Sequence, residues 1–517
     1  MPRGANLPLS EDMSMSRLAL IAVSTRTATI SIDAEQSHFF LPALVNWRLI
    51  NDENETVATG VADQAVFTIY DLQPSTRYRL VCDKDELDIN TSRESRLVNI
   101  VDEGASPELD DNAPRIQAAI NTLPNDATLV IPAGTFRSGP LFLKSNMTLL
   151  LEQGAVLLGH ENRKHYPILP ARHADGRVLG TWEGVAEACF ASLITAIDCQ
   201  KLNITGAGLI NGGADAADWW TWPKETRDGA RRPRTLFVSH SDHVQVTGLA
   251  ICNSPSWTVH PVFCRDFLAA DLRISNDPHS PNTDGLNPEC SRDVRLAGIH
   301  FSVGDDCIAI KAGKRDPKGG LDQPCEGILI ENCHMQRGHG GVVIGSEMSG
   351  TVRDVTIRRC SLRETDRGLR IKTRRGRGGQ VSNISLDDCY MDRVATPLVI
   401  NAFYFCDADG KSDYVQSRSP LPVTDATPKI SGIHLRNVVA DNVGTAAAAF
   451  YGLPEAPVTG ISIENYRVTF DPNAKPDVPD MACGFIPLRH GGIIAENAEF
   501  DRRDGIVLTP SLQSVSA

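Results

Sequence analysis

The chain has no run of about 18 apolar residues anywhere in its 517, so no part of it reads as a membrane-spanning helix. It has no surplus of positive charge either. Its 51 Lys+Arg stand against 64 Asp+Glu, a net charge of -13, which argues against a protein that coats nucleic acid or an anionic membrane. Neither is expected as a partner, the oligomeric state is open, and an anionic ligand needs a local basic exception. The 13 cysteines, an odd number scattered from Cys82 to Cys483, include no CxxC pair. They fit neither a disulfide framework nor a zinc ribbon and point to a reducing compartment. The stretch from Met1 to Asp12 carries Pro2, Gly4 and Pro8 without the apolar core of a secretory leader, so a cytoplasmic location is expected, with the periplasm or secretion as the alternative.

What is present is ordinary in amount. Hydrophobic residues make up 41% and charged residues 22%, which excludes bulk disorder and allows a sizeable core. At 517 residues the chain outgrows one conventional core, so two domains, or a domain plus a solenoid, are expected. After an N-terminal extension (1–16), the segment 17–95 shows short alternating strands at Thr27 to Ile32, Val45 to Ile50, Val66 to Ile69 and Tyr78 to Cys82, the spacing of a β-sandwich. The stretch with Leu72, Pro74, Thr76, Tyr78 and Leu80 resembles the E–F corner of fibronectin type III domains, where a tyrosine hydroxyl bonds back to the backbone. No cluster of chemistry-bearing residues occurs there, so a spacer or scaffold role is expected.

From 96 to 517 the pattern changes. One amphipathic helix is predicted from Asn112 to Leu123, with Pro114 near its start and Ile116, Ala119, Ile120 and Leu123 on one face. Beyond it, apolar residues recur at i, i+2, i+5 and i+7 in nine segments that start at 202, 244, 267, 294, 328, 355, 384, 433 and 461. Examples are Phe267/Ala269/Leu272/Ile274 and Ile328/Ile330/Cys333/Met335. Two inward strand positions, a bend and two more inward positions describe one coil of a right-handed parallel β-helix. The fold expected is therefore all-β, a right-handed parallel β-helix behind a small N-terminal fibronectin type III-like sandwich. Cys333, Cys360 and Cys389 share the i+5 position and should stack inside as small hydrophobes, while the helix closes the open N-terminal end.

Four stretches carry residues that such a core does not need: Asn282–Gly285, Gly304–Cys307, Gly338–Gly340 and Arg370–Lys372. Asp305 and His339 each lie eleven residues after their coil starts, and Asp284 and Lys372 seventeen after theirs, so stacking should gather them on one wall. Three aspartates there, Asp284, Asp305 and Asp306, repel one another. That should leave one protonated beside ionised neighbours, the pairing that glycoside hydrolysis needs. Taken singly, Asp-Asp and Asn-Thr-Asp-Gly are ordinary turn chemistry. Between Arg367 and Arg377 six basic residues occur with no acidic one; Arg370 and Lys372 suit a carboxylate or phosphate, and Arg374, Arg375 and Arg377 read as a solvated turn.

The four motifs, in this order and spacing, resemble those of the polygalacturonases of glycoside hydrolase family 28. The stretches Val130 to Phe136, Gly139 to Ser145 and Ser254 to Pro261 extend the similarity over roughly 97 to 470. The resemblance implies inverting hydrolysis of α-1,4 linkages between galacturonic acid units, with a galacturonan or oligogalacturonide as partner and neither metal nor other cofactor. It implies Asp305 as general acid, Asp284 and Asp306 as the pair that holds and activates water, and His339 as the group that tunes the acid pair. Arg370 and Lys372 are expected on the substrate carboxylate and Asn282 as a hydrogen-bonding group. The family often has a tyrosine near the next coil, and Tyr404 is its counterpart here or a packing residue. Trp219, Trp220 and Trp222 either stack on sugar rings or pin a loop, with the loop role favoured.

Coil steps 202 to 244, 294 to 328 and 384 to 433 are long, and their extra residues must leave as loops that can close one end of a groove. Together with the sandwich domain this resembles bacterial exo-acting members and implies release from the non-reducing end. An endo-acting enzyme, another pectin-backbone glycosidase and a catalytically silent pectin-binding β-helix are the alternatives. A polysaccharide lyase, which usually needs calcium, fits less well because no acidic cage separate from the aspartates occurs.

Overall fold

Alternating apolar residues in the first 75 or so residues of the described chain build two small sheets, in a computed structural model that describes residues 17–509 apart from Gln36 and Lys318. The extension 1–16 lies outside the described residues. Leu18–Val23, Ala28–Ile32 and Val66–Ile69 form one antiparallel sheet; Phe40–Asn51, Thr56–Gln64, Arg77–Cys82 and Asp85–Asn90 form the other. Ile30, Leu49, Leu80 and Ile89 fill the space between them and are buried. The Tyr78 hydroxyl accepts the backbone N–H of Gln73 at 2.9 Å, the corner that the sequence predicts. The sandwich rests on the solenoid through an apolar patch of Ala22 and Val66 against Leu268, Ala270 and Ala297. Hydroxyls extend that contact, with Thr27 Oγ1 2.9 Å from Thr205 Oγ1 and Thr205 Oγ1 2.8 Å from Thr247 Oγ1.

The chain then enters a right-handed parallel β-helix, where Leu97–Asn99 pairs with Ala127–Ile131 and the coils follow in parallel register. All nine predicted coil starts stack in the expected order: Leu202 pairs with Val244, Val244 with Phe267, Phe267 with Val294 and Val294 with Ile328. The column continues through Val355, Ile384, Ile433 and Ile461. The inward positions form one buried core, with Cys333, Cys360 and Cys389 in it at no more than 1% exposure. The first coil departs from the expected spacing. Ala207 is exposed and Ile210, not Leu209, pairs with the inward Ile251, because the bend at Gly206–Gly208 holds one residue more than its successors.

The predicted helix forms over Ala113–Thr122, and its buried Ile116, Ala119 and Ile120 close the N-terminal end of the core. Six coils carry a left-handed residue inside the strand, immediately before its first inward core residue. Lys201, His243, Asp266, Asp293, Asp354 and Asn383 share one register position and have φ of 53°, 54°, 52°, 55°, 56° and 56°. A second face of the solenoid carries the strands Asp306–Ile310, Gly340–Gly345, Arg367–Lys372, Thr396–Asn401, Ala446–Tyr451 and Gly491–Glu496, stacked in that order. Leu286 and Glu289 bridge it to Val259 and Val262 of the preceding coil.

Candidate active site

Two glycines let the motif-bearing coils approach. A Cβ on Gly285 would lie 2.4 Å from the Cys307 carbonyl oxygen, and one on Gly304 would lie 2.4 Å from that of Ser280. With nothing in the way, the Asn282–Gly285 turn lies directly against the start of strand Asp306–Ile310, where Gly285 N–H donates to Asp306 O at 3.0 Å. Asp306 pairs with Gly340, so Asp305 and His339 are neighbours as expected, and His339 N–H donates to Asp305 O at 3.0 Å. The expected pairing of Asp284 with Lys372 does not occur. Leu286 aligns with Ile308, which puts Asp284 in the column of Asp306; Lys372 aligns with Gly345. The turn before Asp284 is longer than those of later coils, so equal offsets from the coil start do not mean equal heights on the wall.

The three carboxyls have different surroundings. Asp284 is 3% exposed and accepts one hydrogen bond, from Asn287 Nδ2 at 2.9 Å. Burial, then the charge of Asp305, pushes its pKa up. Burial alone would raise Asp305 too, but His339, whose Nδ1 lies 3.3 Å away, outweighs it and holds Asp305 below the usual carboxylate range. The same hydrogen bond raises His339 to about 9. The surroundings therefore push the two carboxyls apart, Asp284 toward the protonated form and Asp305 toward the ionised one. Asp306 is 2% exposed and accepts from Lys372 Nζ at 2.8 Å.

A cleft of about 340 Å³ brings together Asn282, Asp284, Asp305, Asp306, Lys372 and Tyr404. His339 and Arg370 are outside its lining. His339 is exposed beside Asp305, and Arg370 is buried with Nη2 on Asp480 Oδ1 at 2.5 Å and Nη1 3.7 Å from Asp306 Oδ1. In the free site these internal pairs hold the Arg370 guanidinium next to the cleft-lining Tyr404. Tyr404 presents its ring to both cations, with Lys372 Nζ 5.4 Å and the Arg370 guanidinium 5.5 Å from its centroid. Arg374, Arg375 and Arg377 do not form a solvated turn: all three are buried, and they pair with Asp409, Glu455 and Asp407 at 2.7, 2.6 and 2.8 Å. Trp219 and Trp222 are fully buried against Tyr166 and Phe190, the loop-pinning role.

Sequence reasoning missed four contributors. Lys311, in the strand-end position next to Ile310, enters the cleft and binds Glu347 Oε2 at 3.2 Å, with Trp257 as its aromatic neighbour. Arg232 is buried and holds Asn282 Oδ1 at 2.7 Å together with the carbonyls of Pro255, Pro281 and Pro223. Lys311, just past the end of one strand, and Glu347, in the turn after the next, give no periodic signal, and Arg232 lies in an insert outside the repeat. Asp110, His160 and His165, whose ligand atoms lie within 4.8 Å of one another near the N-terminal end, are a candidate metal cluster. However, His160 Nδ1 accepts the Asn162 N–H at 3.0 Å, which puts the ring proton on Nε2 and leaves that imidazole no free lone pair for an ion.

The profile of glycosyl hydrolases family 28 matches residues 126–476. The chain belongs to this family. The family 28 enzyme is 31% identical over 369 residues to a probable polygalacturonase of Vitis vinifera, which covers 70% of this chain and 72% of the relative. It is 29% identical over 336 residues to an endo-polygalacturonase of Pectobacterium parmentieri, covering 62% and 79% respectively. Among solved structures, an exopolygalacturonase from Thermotoga maritima superposes with a TM-score of 0.65 at 26% identity, covering 81% of this chain and 93% of that one. A family 28 exopolygalacturonase of Yersinia enterocolitica shares the fold over 96% of this chain and 99% of its own, with a TM-score of 0.68 at 19% identity. Membership makes the protein a glycoside hydrolase.

Proposed function

We propose that the enzyme is an exo-acting polygalacturonase that hydrolyses α-1,4-galacturonosyl linkages of pectate or oligogalacturonides from the non-reducing end, with inversion at the anomeric carbon. The observation that carries this reading is the convergence of Asp284, Asp305 and Asp306 with Lys311 and Lys372 in one cleft. Glycosidic hydrolysis needs a proton donor and a base among carboxyls, and a uronic acid needs cations beside them. The relatives named above include enzymes of both cleavage modes. Exo action is supported by the inserted segments that border the cleft. Glu183 and Lys224, from inserts before the site coils, and Phe405, Cys406, Asp407 and Met481, from inserts after them, line the cleft, and in this reading they limit it to a chain end.

In this reading Asp305 protonates the leaving oxygen, and Asp284 with Asp306 holds the water and takes its proton. Asp305 starts ionised. An anionic sugar that enters the cleft and displaces water raises its pKa, and the imidazolium of His339, 3.3 Å away, supplies the proton. The test is digestion of polygalacturonate followed by chromatography and anomeric NMR. Mono- or digalacturonate of inverted configuration as the first product is expected. Early mid-length oligomers with rapid loss of viscosity would sink the exo mode, and an unsaturated product would sink hydrolysis. Asp305→Asn is expected to lower kcat by about 10²- to 10⁴-fold.

A further inference from the structure

We infer that Asn287 is a positioning residue for the hydrolysis: its side-chain amide occupies one oxygen of Asp284 and leaves the other to take the proton of the attacking water. The inference rests on the reading of Asp284 as the base of a polygalacturonase. Its basis is the clamped segment that follows the Asn282–Gly285 turn. Leu286 N–H donates to Cys307 O at 3.0 Å, Ala309 N–H to Leu286 O at 3.1 Å and Asn287 N–H to Val259 O at 2.9 Å. Coils on both sides therefore fix the backbone here, and Gly285 lets them come this close. From that fixed backbone the Asn287 side chain reaches Asp284, where Nδ2 donates to Oδ2 at 2.9 Å.

No other side chain among the described residues donates to that carboxyl. The charged and titratable groups that face it repel it or are engaged elsewhere. Asp305 and Asp306 stand at the start of the next strand, and the Cys307 thiol beside them donates to Arg337 O. Lys311, past the end of that strand, binds Glu347 at 3.2 Å. Arg232 and Arg234, from the insert, bind Asn282 Oδ1 and Thr181 O. Asn287 itself is fully buried, and its Oδ1 has no partner among the described residues. A buried amide with one of its two ends unpaired is unfavourable for packing, where an apolar side chain of the same size does better. The amide acts instead at Asp284. A hydrogen bond to the carboxylate favours its ionised form against the burial that drives it toward the neutral one. With Oδ2 held, Oδ1 is the oxygen left for water in the cleft that Asp284 lines.

Two variants of this one residue test the inference, with polygalacturonate as substrate and the full chain as enzyme. Asn287→Leu removes the donor and keeps the volume. Its kcat/KM is expected to fall by about 10- to 100-fold and its acid limb to move up by about one to two pH units, with the thermal midpoint unchanged or higher. In Asn287→Asp the new carboxyl shares one proton with Asp284, and while that proton is present it donates to Asp284 as the amide does. This variant is expected to recover most of the lost rate in mild acid and to fall off where the pair loses the shared proton, before the limb at about pH 9 that His339 sets. Packing alone predicts neither the moved limb nor the recovery. Unaltered turnover by Asp284→Asn overturns the base assignment and this inference with it. An inactive Asp284→Asn overturns the inference alone if Asn287→Leu leaves the limb unmoved, or if Asn287→Asp restores nothing that Asn287→Leu lost.

Discussion

His339 touches Asp305 twice: its Nδ1 lies 3.3 Å from Oδ1, and its backbone N–H donates to the Asp305 carbonyl at 3.0 Å. The backbone contact comes from the register of consecutive coils and sets the ring beside the carboxyl. The contact favours a proton on His339 beside an ionised Asp305. With His339 raised to about 9, the pair stays protonated up to that pH and loses its proton above it. The basic limb of kcat/KM is expected near pH 9. In His339→Ala, Asp305 alone must keep the proton, so the limb should move to lower pH; an unmoved limb in a pH profile argues against His339 as the reservoir.

Asp284 sets the opposite limb. A base works only when ionised, and burial together with Asp305 raises the pKa of Asp284, so activity should fall with decreasing pH well before the ordinary carboxylate range is reached. Asp284→Asn should lower kcat by about 10²- to 10⁴-fold, and its residual rate should lose the acid limb.

Arg232 is a positioning residue. It is 1% exposed, its Nη2 holds Asn282 Oδ1 at 2.7 Å, and burial followed by the charge of Arg234 pushes its pKa down to about 9. Arg232→Met should free Asn282 and raise KM for oligogalacturonates more than it lowers kcat. A pure fall in stability, with KM intact in the folded fraction, would assign Arg232 to scaffolding only.

The Tyr78 corner makes a stability prediction for the small domain. The phenol is 5% exposed and accepts the Gln73 N–H at 2.9 Å. Tyr78→Phe removes that acceptor and is expected to cost about 1 kcal/mol. Hydrogen exchange of the sandwich strands should report it, with activity unchanged.

The cysteine stack predicts reactivity. Cys483 is exposed, Cys252 and Cys406 are half-buried, and Cys333, Cys360 and Cys389 are buried. Alkylation of the native protein should label Cys483 first and reach the stacked three only on unfolding. Cys360→Ser places a hydroxyl in an apolar column and should cost about 1–3 kcal/mol, measured by denaturant titration. Labelling of the native stack at the rate of Cys483 would contradict the filler role.

The amino-acid sequence alone determined the coil. The i, i+2, i+5, i+7 spacing reports which side chains face the core, and Cys333, Cys360 and Cys389 fell into line because burial imposes one side-chain pattern on every coil. The motif order also identified the coils that carry the chemistry. What only the tertiary structure decided lies in the turns and in the charges. Turn length does not disturb strand periodicity, so the sequence could not show that Asp284 stands level with Asp306 rather than with Lys372. Charge pairing depends on distance in space. Arg370 is paired with Asp480, 110 residues later in the chain. Lys311, which no repeat required, lies in the column of Lys372 and faces the cleft.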